Sequence, residues 1–133
     1  MDSTAAQLII DHATTRANQL GVPACIAVVD DGAHLVLFRR MDGAFLGAID
    51  VAQRKARTAA LFPMGTGEFG QLVADQQLLG MELSNGGLAL FHGGLPITEK
   101  NALTGAIGVS GGTADQDLDI ARFALEHLPV VVT

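Results

Sequence analysis

The chain has 133 residues, of which 49% are hydrophobic and only 17% are charged, and its formal net charge is −6 at pH 7. This length fits a single domain over residues 1–133, and the acidic balance argues against nucleic acid, whose binding needs clustered Lys and Arg. No apolar run approaches the roughly 20 residues that span a bilayer, so we expect no membrane partner.

The N-terminal sequence and the cysteine content predict a cytoplasmic location. The first ten residues, MDSTAAQLII, lack the basic region that begins a signal peptide. The single cysteine, Cys25, leaves no intrachain disulfide, as is usual in a reducing compartment. The high apolar content of so small a chain also favours a homo-oligomer, in which more surface is buried.

Helical and strand patterns alternate in the first half of the chain. A first helix is predicted from a cap at Ser3 or Thr4 to about Leu20. Two apolar runs, ACIAVVD and HLVLFRR, are joined by the turn DGA and predict a β-hairpin. Residues 45–62 return to helical spacing, with alanines on one face and charged side chains on the other.

The second half is predicted to hold a short helix, three strands and a last helix. The short helix covers residues 68–79, and the strands are LALF, LPIT and ALTGAIGVS, with a tight turn at HGG. The last helix covers residues 113–128, and the apolar tail PVVVT is expected to pack against a partner chain. The resulting fold class is α+β, a layered domain with about five mainly antiparallel strands flanked by helices.

The glycine-rich stretch GGLPITEKNALTGAIGVSGGTADQD could be either a phosphate-binding loop or turn chemistry around a strand. Its spacing G-x-x-G-x-x-G matches neither the P-loop nor the dinucleotide fingerprint, and no lysine follows at the required place. Thr113 and Gln116 match a helix capping box. Asp115 and Asp117 lie in the first helical turn and would repel a phosphate. We therefore interpret the stretch as turns around a buried strand.

Four segments, in order along the chain, resemble the signatures of the GlcG/HbpS-type domain family, which also forms the C-terminal part of PduO-type proteins. They are IAVVDDGAHLVLFRRMDGA, AQRKARTAA, GGLPI and GAIGVSGGTADQD, and the resemblance covers about residues 8–128. It implies a profilin-like fold with a five-stranded antiparallel sheet, and homo-oligomers from dimers to octamers. It also implies heme binding through a threonine or a histidine in some members, heme degradation in others, and catabolic operons without an assigned role in others again.

The first functional hypothesis is noncovalent binding of heme, a tetrapyrrole, with a role in heme handling or degradation. The chain has no C-x-x-C-H attachment motif, so any heme would be held without a covalent bond. His12 lies between the apolar and polar faces of the first helix, and His92 precedes Gly93 and Gly94, where a planar ligand can approach the backbone. Either His12 or His92 is the predicted heme-iron ligand.

The predicted ligand pocket combines the second helix with the neighbouring turns. Lys55 and Thr58 are three residues apart and share a helix face, so the lysine could bind a carboxylate such as a heme propionate. The predicted ligand-binding residues are Arg39, Met41, Asp42, Lys55, Thr58, Phe69, His92, Gly93 and Gly94.

Two alternatives stay open. One is a cofactor-independent catabolic enzyme, an isomerase, lyase or hydrolase, acting on a small organic acid or related metabolite. Lys55, with His92 or Glu99 as the acid–base group, would then be catalytic. The other is a non-catalytic accessory subunit, which the low charge and the apolar tail favour.

Overall fold

A computed structural model describes residues 1–128 as helices packed on one antiparallel sheet. The elements are α1 (Ser3–Leu20), β1 (Cys25–Asp30), β2 (Leu35–Arg40), α2 (Ala48–Leu61), α3 (Thr66–Asp75), a 3-10 segment (Met81–Gly86), β3 (Gly94–Glu99), β4 (Ala102–Ser110) and α4 (Ala114–Glu126). The strand order is β2-β1-β4-β3, and every pair is antiparallel. The α+β prediction is confirmed, but the sheet has four strands in the described residues rather than five. The tail PVVVT lies outside those residues.

The segment LALF, residues 88–91, is not the strand that its composition predicted. The N–H of Ala89 donates to Oγ1 of Thr58 at 3.1 Å, and Oγ1 of Thr66 donates to the carbonyl of Phe91 at 2.6 Å. Threonine hydroxyls on α2 and α3 therefore replace a neighbouring strand as hydrogen-bond partners of this backbone. The hairpin predicted between LALF and LPIT is consequently wrong.

The first helix begins and ends through local chemistry. Asp2, rather than Ser3 or Thr4, is the N-cap, and its carboxylate accepts the N–H of Ala5 at 2.8 Å. At the other end Gly21 has φ +68°, the left-handed conformation in which a glycine commonly ends a helix. The helix was predicted correctly because these signals lie within a few residues of its ends.

Helices cover both faces of the sheet. The face that packs against α1 and α4 includes Ile26, Val28 and Ile107. The face that packs against α2 includes Cys25 and Ala27. Since successive side chains of a strand point to opposite faces, a strand buried on both sides is apolar throughout. Within residues 1–128, no helix is long and apolar enough to cross a membrane.

Helix α2 lies so close to the sheet that the strand beneath it needs a glycine. A Cβ on Gly108 would lie 2.0 Å from the carbonyl oxygen of Ala52 and 2.5 Å from the backbone nitrogen of Ala56. Thr113 and Gln116 form the predicted capping box at the start of α4. The glycine-rich stretch is therefore a tightly packed strand followed by a capped helix.

Candidate functional site

Lys55, predicted to face a ligand, is buried between α2, β4 and the start of α4. Its side chain is only 1% exposed, and Nζ donates to the carbonyl of Val109 at 2.8 Å and to Oδ2 of Asp117 at 3.0 Å. The other carboxylate oxygen of Asp117 accepts the N–H of Gly112 at 2.9 Å. Burial lowers the pKa of Lys55, and the charge and hydrogen bond of Asp117 oppose that shift. In this conformation the lysine joins α2 to α4.

Gly93 and Gly94 lie directly against this lysine. A Cβ on Gly93 would lie 2.6 Å from Nζ of Lys55, and a Cβ on Gly94 would lie 2.5 Å from the lysine carbonyl oxygen. The sequence predicted that a ligand would approach the backbone at these two glycines. In the structure, helix α2 itself occupies that position. The ring of Phe91 covers the ammonium group at 5.0 Å from its centroid and is itself 48% exposed.

The other residues predicted near Lys55 make internal contacts as well. Thr58 is buried, and its hydroxyl binds the backbone of the segment that follows the 3-10 turn. Phe69 is buried in a small apolar cluster with Val73. His92 is half-buried, and its ring occupies the space beside Gly67, within 2.5 Å of where a Cβ would stand. The structure therefore brings Lys55, Thr58 and His92 into one region as packing contacts.

Three further predicted residues lie on the other side of the molecule. Arg39, on β2, donates to Oδ1 of Asp11 at 3.0 Å and to the hydroxyl of Thr14 at 2.8 Å, both on α1. This contact with Arg39 lowers the pKa of Asp11. Met41 packs against the core beneath α1, and Asp42 is exposed. These residues do not meet the Lys55 region.

Of the two acid–base groups predicted for an enzyme, Glu99 lies away from Lys55 in the described chain. Glu99 is the last residue of β3 and is exposed. It lies five residues beyond Gly94 along that strand, a separation of roughly 16 Å at the usual rise per residue. Because Gly94 lies against Lys55, the structure separates Glu99 from Lys55 and from the neighbouring His92.

A second group of polar and aromatic side chains lies where α1 and α4 pack together. We define the α1–α4 site by His12, Arg16, Asp119, Phe123 and His127. Nε and Nη2 of Arg16 donate to the two carboxylate oxygens of Asp119 at 2.7 and 3.1 Å. This bidentate contact lowers the pKa of Asp119. The Arg16 guanidinium also lies 5.7 Å from the centroid of the Phe123 ring.

Two imidazoles lie side by side in the α1–α4 site. The ring of His127 stacks on Phe123 with centroids 3.9 Å apart, and its Nδ1 lies 2.8 Å from the carbonyl oxygen of Phe123. The ring of His12, which is half-buried on α1, has its centroid 6.1 Å from that of His127. An Nδ1–H that donates to the carbonyl leaves the lone pair of Nε2 free.

The α1–α4 site adjoins a surface depression of about 440 Å³. Its walls combine the apolar side chains of Leu118 and Phe123 with the cations of Arg16 and Arg122, and three carboxylates complete the lining. The lining thus offers apolar surface to a ligand, together with the cation of Arg122 for an acidic group.

The sequence predicted Lys55 and His12 as site residues but not their partners on α4, because those partners are far away in the chain. Lys55 and Asp117 are 62 residues apart. One local signal for the burial of Lys55 was present: it lies three residues after Ala52 and four before Ala59, on the alanine face of the helix. No comparable signal pairs His12 with a residue of α4.

The chain is similar to one protein family, to several bacterial proteins and to solved structures. The family model described as "Haem degrading protein HbpS-like" matches residues 1–126. A 15.0 kDa protein from the dhaT-dhaS intergenic region of Citrobacter freundii is 37% identical over 124 residues, which cover 92% of this chain and 87% of that protein. Corrinoid adenosyltransferase PduO of Salmonella typhimurium is 34% identical over 120 residues, or 89% of this chain but only 36% of PduO. The crystal structure of a PduOC:heme complex has a TM-score of 0.91 and 31% identity, and the match covers 96% of this chain and 94% of that one.

Proposed function

The chain belongs to the HbpS-like family, as its motifs predicted, and we propose on that basis that it binds heme noncovalently. The observation that carries the proposal is the similarity of nearly the whole chain to a protein solved in complex with heme. Since PduO is almost three times as long as the matching region, its adenosyltransferase activity is not part of the proposal.

The α1–α4 site fits the chemistry that heme requires. His12 supplies an imidazole, a common axial ligand of heme iron. Leu118 and Phe123 offer apolar surface to the macrocycle, and Arg122 offers a cation to a propionate, whereas Arg16 is already paired with Asp119. Bound heme would supply a redox-active iron, and these residues would hold it and set its polarity.

His92, the other ligand predicted from the sequence, has a different environment. Its ring packs against the backbone of α3 at Gly67, and the lysine that lies against the adjoining Gly93, Lys55, is already paired with Asp117. A propionate would find no free cation among these described contacts, whereas Arg122 lines the depression beside the α1–α4 site. We therefore place the iron ligand at His12 and use His92 for comparison.

Titration of the purified protein with hemin tests the proposal. We expect a sharp Soret band that saturates at a fixed stoichiometry, and a loss of affinity of about tenfold or more in His12→Ala. His92→Ala is the matched control and should titrate like the wild type. A featureless wild-type titration would overturn heme binding, and a loss confined to His92→Ala would overturn the assignment of the ligand.

The proposal includes assembly into a homo-oligomer that handles or degrades heme. Large apolar side chains stay exposed in the single chain, among them Phe45 at 75%, Leu46 at 70%, Leu79 at 98% and Leu83 at 80%. Such exposure supports contact with further copies of the chain. Sedimentation equilibrium should give a multiple of the 13.8 kDa chain mass, and a single species at that mass would contradict the assembly.

A further inference from the structure

We propose that His12 and His127 together bind a divalent transition-metal ion of the Zn²⁺ or Cu²⁺ class when the protein is free of heme. This inference goes beyond the proposed heme function. It rests on the placement of two imidazoles from different helices, α1 and the C-terminal end of α4.

The separation of the two rings matches what one metal ion requires. A metal–imidazole bond of about 2.0–2.1 Å puts each ring centroid about 3.2 Å from the ion. Two rings on one ion then have centroids about 4.5 Å apart at a right angle and about 6.4 Å apart when they face each other across the ion. The observed separation between His12 and His127 is 6.1 Å. The observed separation lies between these two limits, and the proposal requires the His12 ring to turn one nitrogen toward the ion that Nε2 of His127 faces.

The hydrogen bond of His127 prepares its other nitrogen for a metal. Metal-binding histidines commonly donate their second ring nitrogen to a carbonyl or carboxylate, which sets the tautomer and the ring orientation. Nδ1 of His127 has such a partner in the Phe123 carbonyl at 2.8 Å, and the stacking on Phe123 at 3.9 Å holds the ring plane. The hydrogen bond to the Phe123 carbonyl uses only Nδ1 of His127, so Nε2 remains available to the ion.

The side chains around His12 and His127 determine how many protein ligands the metal ion would have. Arg16, one turn beyond His12 on α1, is neutralised by its bidentate contact with Asp119. No group of three or more His, Cys, Asp or Glu side chains with metal-binding geometry occurs within residues 1–128. The ion would therefore have two imidazole ligands and complete its coordination with water. Imidazole nitrogen favours zinc, copper and nickel over magnesium or calcium.

The metal site shares His12 with the proposed heme site but adds His127. A metal ion and heme would accordingly compete for His12. Loss of His127 should remove metal binding while the bond of His12 to heme iron, and with it the Soret band, persists, because in the heme proposal His127 only packs on Phe123. Loss of His12 should weaken the binding of both ligands. The behaviour of the His127 variant therefore separates failure of this inference from failure of the heme proposal.

Calorimetric titration of the heme-free protein with Zn²⁺ tests the site. We expect one ion per chain and a fall in the association constant of about tenfold or more in His12→Asn and in His127→Asn. Asparagine is chosen because its amide nitrogen can take the place of Nδ1 toward the Phe123 carbonyl, while the Nε2 donor is lost. His34→Asn is the matched control, since His34 is exposed on the β1–β2 turn beside Asp30, and it should bind Zn²⁺ like the wild type.

A second measurement on the wild type does not depend on the folding of any variant. With equimolar Cu²⁺, the electron paramagnetic resonance spectrum should show coupling to two imidazole nitrogens. Absence of Zn²⁺ binding, unchanged binding in either site variant, an equal loss in His34→Asn, or a Cu²⁺ spectrum with coupling to fewer than two imidazole nitrogens would each overturn the proposal.

Discussion

Replacement of Lys55 by Met is expected to lower the free energy of unfolding by about 3–5 kcal/mol, because it leaves a buried carboxylate without its partner. The two side chains are 1% and 4% exposed, so water cannot replace the lost ammonium at Asp117. The carbonyl of Val109 loses its 2.8 Å hydrogen bond as well. Methionine nearly matches lysine in length, so the electrostatic loss outweighs any cavity. For a chain of this size the change corresponds to a fall in Tm of roughly 10–20 °C.

A double-mutant cycle measures the interaction energy between Lys55 and Asp117 separately from their other contacts. Asp117→Asn removes the charge but can still accept the hydrogen bond of Gly112. The variant carrying both Lys55→Met and Asp117→Asn should be more stable than the sum of the single effects predicts, by about 1–3 kcal/mol. Lys100, the chain's only other lysine, lies on the exposed β3–β4 turn and serves as the control. Its replacement by Met should change the free energy of unfolding by less than about 0.5 kcal/mol.

Urea unfolding of these variants beside the wild type supplies the measurement. The reasoning would be refuted if Lys55→Met unfolded within about 0.5 kcal/mol of the wild type, or if the two single effects added without coupling. Either result would mean that the paired charges contribute no more to stability than the separate groups.

Two further predictions concern packing and pH. Gly108→Ala should destabilise by about 1–3 kcal/mol or more, since its Cβ would lie 2.0 Å from the Ala52 carbonyl oxygen. Gly47→Ala, which meets open space at φ −63°, should by contrast shift Tm little in thermal denaturation. The hydrogen bond from Arg16 holds the pKa of Asp119 below 3.8. The ionised Asp119 therefore stabilises the folded protein above that pH, and this contribution to the free energy of unfolding is lost as the pH falls through the folded-state pKa. The stability difference between wild type and Asp119→Asn should therefore shrink in acid, and a pH-independent difference would contradict the assignment.

Local sequence patterns predicted most helices and strands because their signals act over a few residues. The β1–β2 turn is one case: the Asp30 carboxylate accepts the N–H groups of Gly32 and His34, both at 2.9 Å. The segment LALF shows the limit, since strand propensity contains no information on whether another strand lies alongside. The hydroxyls of Thr58 and Thr66, on separate helices, hydrogen-bond to that backbone instead.

The sequence by itself determined the family, the α+β class and the glycine positions that permit close packing, because motifs and periodicity are properties of the chain order. The roles of the charged and imidazole side chains were decided by the tertiary structure. Lys55 resembled a ligand-binding lysine until Asp117 was placed beside it, and His12 was one of two candidate iron ligands until α4 brought His127 to it. A charge or a lone pair acquires its role from neighbours within a few ångströms, and packing supplies those neighbours from distant parts of the chain.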